Sequence, residues 1–114
     1  MITLILLHPQ HSTPVQSWTF ENEFVIRVGR ATDNNVVLYS AVVSRHHAEL
    51  RPTDRGWEII SLGANGTFLD GQRITQAVPV IDGLVFRLAQ SGPKIQVRLG
   101  AVPLQQAEKI ASQN

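Results

Sequence analysis

The sequence predicts an all-β domain, a sandwich or a barrel, and three observations predict it. Short runs alternate apolar and polar residues with period two. Glycine- and asparagine-bearing turn signals separate these runs at regular intervals. Helix formers gather in one place only, the C-terminal stretch.

Taken in order, Ile2-Thr3-Leu4-Ile5-Leu6-Leu7 reads as the first strand. It is too short for the apolar core of a signal peptide, and no Lys or Arg precedes it. His8 to Ser17 holds two Pro, two His, two Ser and two Gln and reads as a loop. Phe24-Val25-Ile26-Arg27-Val28 places Phe24, Ile26 and Val28 on one face. His46 to Arg51 places Ala48 and Leu50 on one face, with His47, Glu49 and Arg51 opposite. Trp57-Glu58-Ile59-Ile60, Leu84 to Leu88 and Ile95 to Leu99 complete the strands. Trp18, Trp57 and Phe86 are assigned to packing. Turns fall at Asp33-Asn34-Asn35, Pro52 to Gly56, Asn65-Gly66, Asp70-Gly71, Asp82-Gly83 and Ser91-Gly92-Pro93. Asn-Gly and Asp-Gly favour hairpin turns because they accept positive φ cheaply. Residues 1–100 are expected to form the sandwich, and 101–114 a short helix or a fraying tail.

Composition narrows the function. The chain has 114 residues, the length of one domain. Hydrophobic residues make up 43%, too many for a disordered chain. A net charge of +1 argues against a general nucleic-acid binder. The absence of cysteine excludes disulfides, thiolate metal sites and a cysteine nucleophile. No run approaches the roughly 18 apolar residues of a membrane span, and the expected location is the cytoplasm. Enzymatic chemistry is not expected. Ser44, His47 and Asp33 or Asp54 are triad residue types, but no Gly-x-Ser-x-Gly elbow surrounds the serine. A phosphate-cradling Gly-x-x-x-x-Gly-Lys loop and paired carboxylates are also missing from the sequence. No cofactor is expected. His46 and His47 are adjacent on a predicted strand, so they point to opposite faces and do not share a metal ion.

Three polar clusters fall in the turns: Gly29-Arg30, Ser44-Arg45-His46-His47 and Asn65-Gly66-Thr67. Loops on a rigid sandwich are where binding residues usually sit. In this order and spacing the clusters resemble the forkhead-associated (FHA) domain family, of bacterial type. Flanking segments agree: Asn34 to Leu38, the hairpin Phe68-Leu69-Asp70-Gly71-Gln72-Arg73-Ile74, and Asp82 to Leu88. The resemblance spans about residues 2–100.

The resemblance implies an eleven-stranded β-sandwich of the FHA/SMAD-like type. It also implies phosphothreonine-dependent recognition of a partner protein, as in signalling adaptors. Its expected ligand contacts are Arg30, Ser44, Arg45 and Asn65. Gly29, His47, Gly66 and Thr67 are expected to shape the site, His47 by bracing the loop that carries Ser44. The chemistry suits a phosphate, which carries about −1.5 to −2 charge at pH 7 and three strong acceptors. Many family members carry a serine or threonine just before the asparagine. Here Gly63 and Ala64 stand there, and Ser61 replaces an acidic residue. A lost hydroxyl contact predicts binding weaker by about tenfold. The alternative is a phosphate-independent interaction module, or one that associates with a second copy through a sandwich face or the tail. A monomer is the expected state of the phosphothreonine reader.

Overall fold

Eleven strands form two sheets in the structure, a computed structural model that describes residues 1–22 and 24–100. They are β1 (Ile2–Leu7), β2 (Pro14–Phe20), β3 (Ile26–Gly29), β4 (Val36–Val37), β5 (Ala48–Thr53) and β6 (Gly56–Ser61). Then follow β7 (Thr67–Leu69), β8 (Gln72–Arg73), β9 (Val78–Pro79), β10 (Val85–Leu88) and β11 (Lys94–Leu99). One sheet has the order β2-β1-β11-β10-β7-β8, the other β4-β3-β5-β6-β9. The β3–β4 pair is parallel and the other pairs are antiparallel. The open choice between sandwich and barrel resolves to a sandwich.

Alternation positions the core. Ile2 and Leu4 of β1, Ile26 and Val28 of β3, Leu50 of β5, Ile59 of β6, Phe86 and Leu88 of β10, and Ile95 and Val97 of β11 are fully buried between the sheets. Each is separated from the next by a residue facing outward, as the pleat requires.

Four expectations need correction. Residues 14–17 are strand, not loop: Leu6 lies opposite Gln16 and Ile5 opposite Ser17. This is an edge strand exposed along most of its length, so polar residues on both faces erase the alternation, and Pro14 occupies the first position, where a missing N–H costs no ladder bond. Phe24 leaves the face of Ile26 and Val28. It is 43% exposed and meets Phe20 edge-on, ring centroids 5.8 Å apart. His46 and His47 precede β5 rather than belong to it. Finally, β5 runs through Pro52 to Thr53, so the turn to β6 is shorter than expected. The short strand β9 had no sequence signal. The proposed helix or tail over 101–114 lies outside the described residues.

Candidate functional site

The loops after β3, β4, β6 and β10 meet at one end of the sandwich. The chain leaving β3 binds the approach to β5: Arg30 N–H donates to Ser44 O at 2.9 Å and Ala31 N–H to Arg45 O at 3.1 Å. Gly29 is required at this crossing. A Cβ there would fall on the Arg45 carbonyl and lie 2.9 Å from Asn34 Nδ2. Asn34 is buried, and its Nδ2 donates to both Ala31 O and Arg45 O at 2.7 Å. One amide thus locks both loops together.

His47 joins the other pieces. Its ring is fully buried. Nδ1 accepts from Ser44 N–H at 3.0 Å, which leaves the proton on Nε2, and Nε2–H donates to Gly66 O at 2.7 Å. The His47 carbonyl accepts from Leu62 N–H and Gly63 N–H. Burial lowers the pKa of the ring below 6.5, so it is held neutral. With both nitrogens engaged, the ring has no lone pair for the Ser44 hydroxyl, and the hydrolase arrangement is not formed. His46 points elsewhere, its Nε2 3.1 Å from Asp33 Oδ1. That hydrogen bond lowers the pKa of the exposed Asp33 carboxyl. The two histidines therefore serve different partners.

Arg30 is exposed, and its Nε donates to Val43 O at 3.0 Å. This bond fixes the guanidinium beside the Ser44 loop and leaves its terminal nitrogens outward. Ser44 is half-buried. An added Cβ at Gly63 would stand 2.6 Å from Ser44 Oγ and 3.0 Å from His47 Nδ1. Position 63 is thus occupied, in effect, by the Ser44 hydroxyl. Its lack of a side chain is not a simple loss, as the sequence suggested, but the condition for Ser44 to sit where it does. Arg45 is pinned through its carbonyl and exposes its side chain.

Asn65 is exposed, and its Nδ2 donates to Val42 O at 2.9 Å, tying the loop before β7 to the loop before β5. Gly66 turns the chain with φ 83°, a left-handed conformation that favours glycine. Its carbonyl also accepts from Ala89 N–H. Thr67 begins β7, fully buried opposite Leu88. Seven of the eight expected residues thus meet at one hydrogen-bonded loop end, while Thr67 lies in β7 with its buried hydroxyl unpartnered among the described residues.

Two contributors had not been assigned a role. Asn34 read only as a turn residue. Arg73 lay within the recognised hairpin; its Nη2 donates to Ala64 O at 2.9 Å, and its guanidinium lies against Gly66, 2.8 Å from where a Cβ would be. An open cleft of about 590 Å³ runs beside Arg73 and Ser61 to Ala64, flanking the Arg30 and Ser44 loops rather than covering them.

Fold and loops define a class: a two-sheet β-sandwich that carries its polar groups on the loops of one end. Residues 26–89 match the family model of the FHA domain, and the chain belongs to that family. It is 46% identical over 54 residues to the ABC transporter ATP-binding/permease protein Rv1747 of Mycobacterium tuberculosis, a match covering 46% of this chain and 6% of that protein. The chain spans less than half the length of the curated relatives it matches. Among solved structures, an FHA domain from an analysis of phosphothreonine-dependent FHA domain interactions superposes with TM-score 0.71 at 26% identity, covering 89% of this chain and 98% of that one. Mycobacterium tuberculosis EmbR in complex with a low-affinity phosphopeptide superposes with TM-score 0.66 at 30% identity, covering 89% and 25%.

Proposed function

We propose that this loop end binds phosphothreonine in a partner protein. One observation carries the reading: Arg30 and Ser44 are held side by side by two backbone-directed bonds, Arg30 N–H to Ser44 O and Arg30 Nε to Val43 O. A guanidinium whose Nε is already fixed offers its remaining N–H groups in a preset direction. A doubly charged phosphate is the ligand that uses them best.

In this reading Arg30 takes the phosphate by charge-assisted hydrogen bonds, and Ser44 Oγ donates beside it. Arg45 adds charge at the rim. Asn65 keeps Oδ1 and one N–H for the backbone of the bound peptide while its other N–H holds Val42 O. Gly29, His47, Gly66 and Thr67 hold the loops. A similar protein solved with a phosphopeptide and another studied for phosphothreonine-dependent interactions support the phosphothreonine reading. The module binds without turnover, as a monomer, through residues 1–100, with 101–114 as an appended segment. We place it in the cytoplasm.

The test is retention on an oriented phosphothreonine peptide library, with phosphoserine and unphosphorylated libraries as controls. Selective retention of phosphothreonine peptides is expected. Equal retention across the three would overturn the reading and favour a phosphate-independent contact.

A further inference from the structure

Outside the loop end, the outer face of the six-stranded sheet carries a cluster that the binding site does not use. Lys94 of β11 lies directly opposite Arg87 of β10, and Arg87 directly opposite Phe68 of β7. Cross-strand partners share a face. Their neighbours Phe86, Leu88 and Ile95 are buried inward, so Arg87 and Lys94 face outward. With Phe68 and Val85 they line a depression of about 200 Å³. Asp70 is the one carboxylate lining it. Among the described residues the ion pairs are formed by Arg27, His46, Arg51 and Arg98, and neither Arg87 nor Lys94 takes part in one.

Like charges set directly opposite each other are unfavourable. A merely solvated face would be better served by alternating signs. The two cations are half-buried, so part of each side chain is already ordered and less entropy is lost on binding. The cluster also borders the proposed site. Arg87 Nε donates to Gly92 O at 2.9 Å. Gly92 abuts Val42, with a Cβ position 3.0 Å from Val42 Cγ2. The Val42 carbonyl in turn holds Asn65.

We propose that Phe68, Arg87 and Lys94 form a second contact surface that takes an acidic segment of the same partner chain, flanking its phosphothreonine. This rests on the phosphothreonine reading above. Charge complementarity selects the occupant: two cations beside an aromatic ring suit Glu or Asp side chains on an extended peptide. A net charge of +1 and a patch this small do not suit a nucleic-acid backbone.

The test is calorimetry at low and at physiological salt with three peptide probes, and with oligothymidine as a control. One is a phosphothreonine peptide with neutral flanks. The second adds a four-Glu tract before or after the phosphothreonine, and the third replaces that tract with Gln. The Glu peptide should bind about three- to tenfold tighter than the Gln peptide at low salt, as expected for two ion pairs at the surface. Lys94→Glu should erase that gain and leave the neutral peptide unchanged; Lys94→Gln should reduce it. Arg87 is the poorer probe because it also holds Gly92.

Equal affinity for the Glu and Gln peptides overturns the proposal, as does a gain that survives Lys94→Glu. If the neutral peptide fails while the Glu peptide binds in a Lys94-dependent way, the patch stands and the phosphothreonine site falls. If neither binds, both fall. A Lys94-dependent affinity for oligothymidine with no gain from the Glu tract overturns the proposal in favour of nucleic acid.

Discussion

Position 63 shows how a single residue decides the chemistry of the loop end. A hydroxyl there looks like an improvement from sequence, yet its Cβ would displace the Ser44 hydroxyl. Gly63→Ser should therefore weaken phosphopeptide binding by about tenfold or more, the scale of one lost bond to a charged group. Ala64 is exposed and already carries a Cβ, so Ala64→Ser should leave affinity unchanged or raise it. Calorimetry on the two variants separates these effects, and a gain at position 63 would show that Ser44 does not hold the phosphate. Arg30→Ala should cost about 2 kcal/mol, roughly a thirtyfold loss. If phosphopeptide affinity survives that substitution in calorimetry, Arg30 is not the anchor.

The loops act as elements only because buried polar groups bind them together. Asn34 uses one nitrogen for two carbonyls from different loops. Asn34→Ala removes one of two donors from each carbonyl, leaving the backbone N–H of Asn34 on Ala31 O and that of Ala31 on Arg45 O, and denaturant unfolding should show a loss of about 0.5–1.5 kcal/mol. An unchanged midpoint would mean that the two loops are held by their backbone bonds alone. Such bracing is where the sequence was least legible. Asn34 looked like any turn asparagine, since nothing local shows that its side chain faces inward. Arg73 was equally unreadable, because its contact with Gly66 depends on how the hairpin folds back. Strand β2 was missed because an exposed edge has no buried face to impose alternation. By contrast, β10 and β11 were legible, since burial of one face writes a period of two into the residues, and β1 was legible as a short apolar run. The histidine brace was anticipated from resemblance, and its ring bonds supply the reason.

At the scale of the whole molecule, pH acts on fold and ligand separately. Burial depresses the His47 pKa in the folded state. Between that depressed value and 6.5 the unfolded chain binds more protons than the folded one, so acid favours unfolding. The stabilisation is fully present above about 6.5 and is lost as pH falls through the lower folded value. Melting temperature of the free protein should decline with acid from near pH 6.5 downward, and His47→Gln should flatten the decline. A phosphopeptide adds its own loss of affinity below about 6, where the phosphate gives up its second charge. Titrations of the two variables should therefore part company when His47 is replaced. The histidine ring has one more consequence. It ties Ser44 and Gly66 across the fold, so the binding groups converge only when the sandwich has closed. A ligand that meets those groups together has nothing to hold in the unfolded chain, and occupancy becomes heat resistance. At a hundred times its dissociation constant such a ligand adds about 2.7 kcal/mol, roughly a 10 °C rise for a domain of this size. A simple melting curve, read across a panel of phosphopeptides, can therefore rank partners before any of them is known by name.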